Sequence, residues 1–436
     1  MNRSTRGRRS TTVRETFDLD GATGFGGVGL LVDYAQRIGL RRRLPRALAP
    51  FEKRANAVYP LASTVEVLLF GRVLGVGRVH EFEQLEGDEL VRRKLGLPKM
   101  PDTTLLYRDL ERLSGDKERD ALRGLGLSLA QRVIGEEVIL DTDSTVETVY
   151  GALEGAAVGY NPTKHGRASY HPILFTDGIS RAAVRAELRP GNTVAATDAI
   201  GALQRAFADV ERVGSKVSAV RADRGFQGED VFAYLEGRHT DYTIKISVDA
   251  KLRIWATDLT YTEIGSDADD AIEVAAGIYK REKWSRPRRV VVIRRRITEG
   301  IAQGVVHSMQ AIATTLDADP EDVYHFYNQR CAMEGLIREA KDGFGIDEFS
   351  SRSWDGNYAD LLLKLLAYNL TLAFQRDLSA LRGEPLETVR LLRRWILCIP
   401  GVLVRHARGW TLRLARQYRR SGQFERMRSR LAALAR

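Results

Sequence analysis

The run V-I-L-D-T-D-S-T-V, Val138 to Val146, sets the tightest limit on what this chain can fold into. Its aliphatic and β-branched residues predict a strand, and alternation along a strand puts Asp141 and Asp143 on the same face of the pleat. Two carboxylates so close repel each other, and burial makes the repulsion costlier. The fold must therefore bring cations or a metal ion to that face.

The residues that follow supply the rest of a sheet. Tyr170–Thr176 and Arg181–Leu188 predict second and third strands turning at Asp177 and Gly178, which with the first make an antiparallel meander. A helix over Ala199–Val213 has Ala202, Ala206 and Val210 on one side. A fourth strand, Val217–Ala222, runs into Asp223, Arg224, Gly225 and Phe226. A helix over Gly228–Gly237 and a fifth strand, Tyr242–Ser247, complete the rhythm. Asp223 stands where a buried strand gives way to a glycine-containing turn. That is the usual place for a catalytic side chain in an open α/β sheet, and equally a place for a turn-forming aspartate.

Residues 248–306 break this rhythm. Leu252–Thr260, Ile272–Tyr279 and Val290–Ile297 alternate as strands of a β-rich insertion would. Arg286, Arg288, Arg289, Arg294, Arg295 and Arg296 lie in or beside one strand, with Trp284 just before it. Basic strands next to an exposed aromatic suit backbone contact and base stacking on a nucleic acid; a solvated ribbon with Trp284 in its own small core is the plainer reading.

After the insertion, Asp319 and Pro320, followed by Glu321 and Asp322, open a helix that is expected to continue through Tyr327–Lys341. At roughly 100° per residue from Tyr327, Arg330 falls near 300°, Glu334 near 340° and Lys341 near 320°, so the four share one stripe. Met333, Leu336, Ile337, Ala340 and Phe344 form an adjoining apolar arc, and Glu339 points elsewhere. A glutamate between an arginine and a lysine at the edge of a buried face suits metal binding beside an anionic polymer.

The flanks are helical in pattern. Residues 1–20 are polar and basic, as in a disordered tail. Residues 21–135 hold helices such as Gly29–Ile38, Ser63–Leu74 and Asp116–Val133, and Pro101, Asp102, Thr103 and Thr104 open a capped short one, Leu105–Leu113, whose inner face is Leu106, Leu110 and Leu113. Such an arginine-dotted block can bind DNA ends or serve as scaffold. Residues 351–436 continue with a strongly amphipathic helix, Asn357–Asp377, and a basic tail, Glu387–Arg436, expected to be helical.

The formal charge of +10 points to a polyanionic partner, although charge alone also aids solubility. Cys331 and Cys398, the only cysteines, are too few for a disulfide framework or an all-cysteine zinc site and fit a reducing cytoplasm. No apolar run approaches the roughly 18 residues of a membrane span.

Asp143 (or Asp141), Asp223 and Glu334 thus line up on the first strand, after the fourth strand and on a late helix. That order is the layout of an RNase H-like fold, a mixed α/β core in which strands one and four are neighbours and the late helix crosses them. Three acidic groups meeting there would hold two Mg²⁺ ions about 3.5–4 Å apart.

The chain resembles the DDE transposases of bacterial insertion sequences. The likeness is to the superfamily marked by Tyr, two residues, Arg, three residues, Glu, six residues, Lys, met here by Tyr327, Arg330, Glu334 and Lys341. L-D-T-D-S-T (Leu140 to Thr145), R-A-D-R-G-F (Arg221 to Phe226) and G-Y-N-P-T-K-H-G-R-A-S-Y-H-P (Gly159 to Pro172) carry the same likeness. The resemblance spans about Glu137 to Phe349. It implies an RNase H-like core over residues 136–247 and 307–350, interrupted by the insertion at 248–306, and cut-and-paste transposition of the protein's own element. The implied metal ligands are Asp143, Asp223 and Glu334, for Mg²⁺ with Mn²⁺ as a substitute. Asp143 is favoured because Asp143, Ser144, Thr145 matches the family's Asp, small residue, Thr pattern, with Asp141 as the alternative.

Tyr327, Arg330 and Lys341 correspond to residues that grip phosphates near the cleaved end. Lys164 and Arg167 in the basic loop, and Arg288 and Arg289 in the insertion, are further candidate DNA contacts. In some relatives an insertion tryptophan stacks on a flipped base; Trp284 is the candidate here and Trp255 the reserve. Terminal inverted repeats and target DNA are the implied partners, a homodimer or larger multimer on DNA the implied assembly, and the bacterial cytoplasm, at the nucleoid, the implied location. A metal nuclease that cuts without joining, and a catalytically silent DNA-binding descendant, are the rival readings.

Overall fold

The computed structural model describes residues 13–162, 164–194, 196–267, 270–297, 306–379 and 386–434. The basic start up to residue 12 and the end of the insertion, 298–305, lie outside the described residues, and residues 13–19 form neither helix nor strand.

A two-residue strand, β1 (Ala22–Thr23), leads into six helices: α1 (Val28–Arg37), α2 (Leu40–Leu48), α3 (Leu61–Leu74), α4 (Glu89–Leu95), α5 (Thr103–Arg112) and α6 (Asp116–Ala130). Within the expected capped opening of α5 the capping residue is Asp102, its carboxylate accepting from Leu105 N at 2.8 Å, and Leu106, Leu110 and Leu113 are all buried.

The chain then enters β2 (Glu137–Ser144) and three short strands, β3 (Glu147–Thr148), β4 (Ala157–Val158) and β5 (Ala168–Tyr170), which pair among themselves. β6 (Ile173–Asp177) and β7 (Ala183–Glu187) complete the antiparallel meander with β2. α7 (Ala199–Arg212), β8 (Lys216–Ala222), α8 (Glu229–Gly237) and β9 (Asp241–Ile246) follow, with β8 parallel to both β2 and β9. The expected adjacency of first and fourth strands is thus present, since β2 lies between β8 and β6.

The insertion does not stand apart as a separate sheet. β10 (Thr262–Asp267), β11 (Asp270–Tyr279), β12 (Arg288–Ile297) and β13 (Val306–Thr314) extend the same sheet through β13, which pairs antiparallel with β9, giving the order β10-β11-β12-β13-β9-β8-β2-β6-β7. The segment expected as a strand from Leu252 is instead α9 (Ala250–Thr257). The Asp249 carboxylate caps it by accepting from Leu252 N, and Leu252 and Ala256 are buried one turn apart. Alternation in L-R-I-W-A-T imitates a strand, but the cap and the spacing of the buried pair decide for helix.

α10 (Pro320–Asn328), α11 (Cys331–Phe344) and α12 (Trp354–Leu378) follow β13. Burial divides the residues of β6 and β7 between two cores: Ile173, Phe175 and Val184 pack with α7, while Leu174, Ala183 and Ala186 pack with α12. Buried polar groups fix α12 in register. Asp360 takes Arg72 of α3 at 2.7 Å and Lys364 at 2.9 Å, and the Asn369 amide bonds both backbone groups of Ala183 on β7. Each of these groups is satisfied only in one arrangement, which makes a slip of the helix costly.

The tail departs from the expected helix. After α13 (Val389–Leu392), Pro400 and Gly401 stop helical propagation. β14 (Gly401–His406) and β15 (Gly409–Leu414) then form a hairpin that joins β1 in a separate sheet, before α14 (Ser421–Ala433). No helix among the described residues is long and apolar enough to cross a membrane, and both cysteines are free thiols.

Candidate active site

The two aspartates that opened the problem receive different answers. Asp141 sits directly opposite Arg221 in the parallel β2–β8 register, and the guanidinium grips both carboxylate oxygens, at 2.6 and 2.8 Å. Both side chains are buried. Burial raises the Asp141 pKa and Arg221 works against that rise. Gly178 makes the fit possible, since a Cβ there would lie 2.2 Å from the Arg221 guanidinium. Arg221 is therefore the cation that this face required for Asp141.

Asp143 lies at the C-terminal edge of β2 and is only partly buried. Its ion-pair partner is Arg330, at 2.9 Å, whose Nε also donates to Thr142 O at 3.1 Å. Burial raises the Asp143 carboxyl above its ordinary value, Arg330 lowers it, and the Asp223 and Glu334 carboxylates raise it again. These three acids therefore share one electrostatic neighbourhood. Asp223 follows the end of β8, and its carboxylate also caps the local turn by accepting from Gly225 N at 2.9 Å. Glu334 is exposed in the first turn of α11, where the helix dipole favours a negative charge.

The single helix expected through Tyr327–Lys341 is in fact two. Within an unbroken helix the Phe326 carbonyl would accept from Arg330 N; here it accepts from the Arg221 guanidinium at 3.0 Å, and Arg330 N turns to Tyr327 O. Arg221 also takes Gln329 Oε1 at 2.9 Å, so the same side chain neutralises Asp141 and holds the break between α10 and α11. The expected apolar arc survives: Met333, Leu336, Ile337, Ala340 and Phe344 are buried. Tyr327 is buried at the end of α10, and its phenol is pushed up to about 12 by burial, lowered by Arg330 and raised by Asp223 and Asp143.

Lys341 reaches the same groove, a cleft of about 310 Å³ lined by Asp143, Thr145, Glu334, Lys341 and Asp342. Its ammonium lies 3.0 Å from Glu147, a carboxylate just past β2 that the sequence did not single out. Burial pushes Glu147 up to about 7, with Lys341 opposing. Beside Asp143, the Ser144 hydroxyl meets His171 Nε2 at 3.0 Å, while Nδ1 lies 2.7 Å from Thr193 O. A carbonyl only accepts, so Nδ1 carries the proton and Nε2 accepts from Ser144. Burial lowers the His171 pKa and favours that neutral form.

The remaining candidates divide. Lys164 and Arg167 are exposed on the β4–β5 loop. Trp284 is not exposed: it is 4% accessible and packs edge-on against Phe232. Arg288 is likewise buried, held by Glu229 at 2.6 Å and Glu236 at 2.7 Å, and Arg289 donates to the carbonyls of Leu316 and Ala318. These groups complete the protein's own interior and are not free to meet DNA as placed. Trp255 is half-buried against Tyr279. The Arg296 side chain lies outside the described residues.

Asp143, Asp223 and Glu334 offer only hard carboxylate oxygens, and the mutual raising felt by Asp143 is the strain a divalent cation relieves, so the donor set fits Mg²⁺ chemically. Among the described residues, no three His, Cys, Asp or Glu side chains yet stand close enough to enclose one ion.

The sequence matches the family described as transposase DDE domain group 1 over residues 6–436. No curated protein matches it. Among solved structures, the cryo-EM structure of the piggyBac transposase synaptic complex with hairpin DNA is similar at a TM-score of 0.45 and 10% identity, over 84% of this chain and 78% of that one.

Proposed function

The chain belongs to the transposase DDE domain group 1 family, and from that premise we propose that it performs cut-and-paste transposition of a bacterial insertion sequence, in the branch with the Tyr-Arg-Glu-Lys signature. Asp143, Asp223 and Glu334 are the proposed metal ligands, on an RNase H-like core whose support is the strand order β9-β8-β2-β6-β7. One observation carries this choice: Asp141 is fully engaged by Arg221, whereas Asp143 shares its field with Asp223 and Glu334. Bound Mg²⁺, or Mn²⁺ in its place, would supply Lewis-acid activation of a water or 3′-hydroxyl and stabilise the leaving oxygen.

The chain's own side chains do the positioning. Arg330, now paired with Asp143, is placed to turn to a phosphate when the carboxylate finds another counter-charge. Lys341 stands on the same groove and brings a second cation to the DNA backbone. Tyr327, buried among Val274, Val291, Ile293 and Ile312, anchors the end of α10 just before Arg330. Lys164 and Arg167 extend the basic rim on the exposed β4–β5 loop, and the helices of residues 21–135 are proposed to hold the terminal inverted repeats. Two ends must be held together for strand transfer, which calls for a dimer or larger assembly on DNA.

Incubating the protein with Mg²⁺, a labelled element end and a supercoiled plasmid separates the readings. Joined product is expected; cutting alone would favour a nuclease, and binding alone a silent descendant. Glu334→Ala is expected to reduce cleavage at least a thousandfold while end binding stays nearly intact, because the side chain is exposed and supports no packing. Unchanged cleavage would remove Glu334 from the site.

A further inference from the structure

Between Glu387 and Glu425 the chain has no acidic residue and nine arginines. The β14–β15 hairpin lies inside that stretch, and Arg405, Arg408, Arg413, Arg416 and Arg419, on it and just beyond it, are all exposed. None of these five has an ion-pair or hydrogen-bond partner among the described residues. Elsewhere arginines are commonly engaged, as Arg221 and Arg288 are. At the end of the hairpin Trp410, 40% exposed, lies between two guanidiniums: Arg93 of α4 stacks 3.8 Å from its ring centre and Arg405 lies at 5.9 Å.

Charge on a strand edge also guards against edge-to-edge pairing, and one or two charges suffice for that. Five unpartnered arginines in sequence with no intervening acid exceed the need, and their mutual repulsion costs stability unless an anion is nearby. We infer that the β14–β15 hairpin is a second DNA-binding surface that grips the phosphate backbone of duplex DNA independently of sequence. Phosphates fit because each bound guanidinium releases counterions, and the arginine fork matches phosphate oxygens bidentately. Trp410, pre-stacked by Arg93, gives the surface a rigid aromatic edge against sugar or base. Single-stranded DNA would use that edge more heavily, but the register sets Arg405 with Trp410 on one face of the hairpin and Arg413 on the other, with Arg408 at the turn, and a two-stranded ribbon charged on both faces suits the major groove of a duplex, where both phosphate walls are in reach. The hairpin joins β1 and stacks on α4, so DNA held there lies against the N-terminal helical block.

The test uses the full chain and a fluorescent random-sequence duplex that lacks any terminal repeat, titrated from low to high salt by anisotropy. Wild-type protein is compared with Arg405→Ala/Arg408→Ala/Arg413→Ala and with the matching triple lysine variant. For the alanine variant, the slope of log affinity against log salt is expected to shrink by about 2 to 3, and affinity at 0.1 M salt to fall about tenfold or more. The lysine variant should keep most of both, which shows that the hairpin still folds. Equal affinity and slope for wild type and the alanine variant would overturn the inference. So would loss of self-association, measured by sedimentation, with duplex binding unchanged, because the surface would then belong to a second copy of the chain. Random-duplex binding requires no cleavage, so failure of the catalytic assignment leaves this result standing.

Discussion

Along β12 and its approach, Arg286, Arg288, Arg289 and Arg294 all turn their guanidiniums onto the protein, to Glu236, Glu229, backbone carbonyls and Glu273. On the β14–β15 hairpin, Arg405, Arg408 and Arg413 face water with no acid in reach among the described residues. The two stretches are similar in local sequence, both basic, both strands, both next to a tryptophan. They differ in what the fold brings to them. α8 delivers Glu229 and Glu236 to the first, and nothing acidic lies near the second in sequence. The same contrast recurs over two residues of β2, where Arg221 grips both oxygens of buried Asp141, while Asp143, paired through one oxygen with Arg330, stays at the groove beside two further carboxylates. Charges that the fold fully partners hold the structure together, and those it leaves open mark where a ligand is expected.

Arg288→Ala should give the largest departure from this rule, because it strands two carboxylates around a buried space. A loss of about 3–5 kcal/mol in unfolding free energy is expected, read from urea denaturation. An unchanged midpoint would mean that β12 is as free to bind DNA as the hairpin.

Glu147 sharpens the contrast from the acidic side, since its partner Lys341 does not fully offset burial. The folded state keeps the Glu147 proton up to about pH 7, whereas the unfolded chain releases it near the ordinary 4.5. Between those values the fold holds the extra proton, so this group's contribution to stability falls as pH rises through the window and is lost above it. Glu147→Gln has no such proton to lose. Its stability relative to wild type should improve by roughly 3 kcal/mol from pH 4.5 to above 7. A pH-independent difference would show that Glu147 titrates normally.

The smallest effect belongs to the hairpin. Replacing Arg405, Arg408 and Arg413 with alanine is expected to move unfolding free energy by no more than about 0.5 kcal/mol in the absence of DNA, since exposed side chains without partners contribute little. A shift as large as that of Arg288→Ala would place these arginines in the structure's own network.

Much of this arrangement is legible in the sequence. The meander and the helices α7 and α8 follow from alternation and turn residues, and the β2–β8 adjacency is expected only from the likeness of the element order to an RNase H-like layout. The Asp141–Arg221 pair was also within reach: Asp143 and Asp223 stand 80 positions apart, as do Asp141 and Arg221, so if one pair faces across parallel strands, the other does too. Other features depend on contacts distant in sequence. The break after Asn328 arises because Arg221 captures the Phe326 carbonyl, and a helical wheel drawn through Tyr327–Lys341 has no means of registering that. Glu147 meets Lys341 across 194 positions with no shared motif. Trp284 is polar in its sequence surroundings and buried in fact, because Arg288 and Glu236 neutralise each other beside it. In α9 and the hairpin the local alternation and local charge point one way, and a single cap and a Pro-Gly stop decide the other.

The most direct test sets Asp143→Asn beside Asp141→Asn, isosteric changes that remove one charge each, in an end-cleavage assay with Mg²⁺ at a temperature where circular dichroism shows both variants folded. Asp143→Asn is expected to be folded with its melting temperature little changed and to cleave at least a thousandfold more slowly. Asp141→Asn is expected to melt at a lower temperature, having lost half of a buried ion pair, yet to cleave within about tenfold of wild type while folded. A folded Asp141→Asn that is inert, beside an Asp143→Asn that still cuts, would contradict the assignment of the first-strand ligand and with it the division between partnered and open charge.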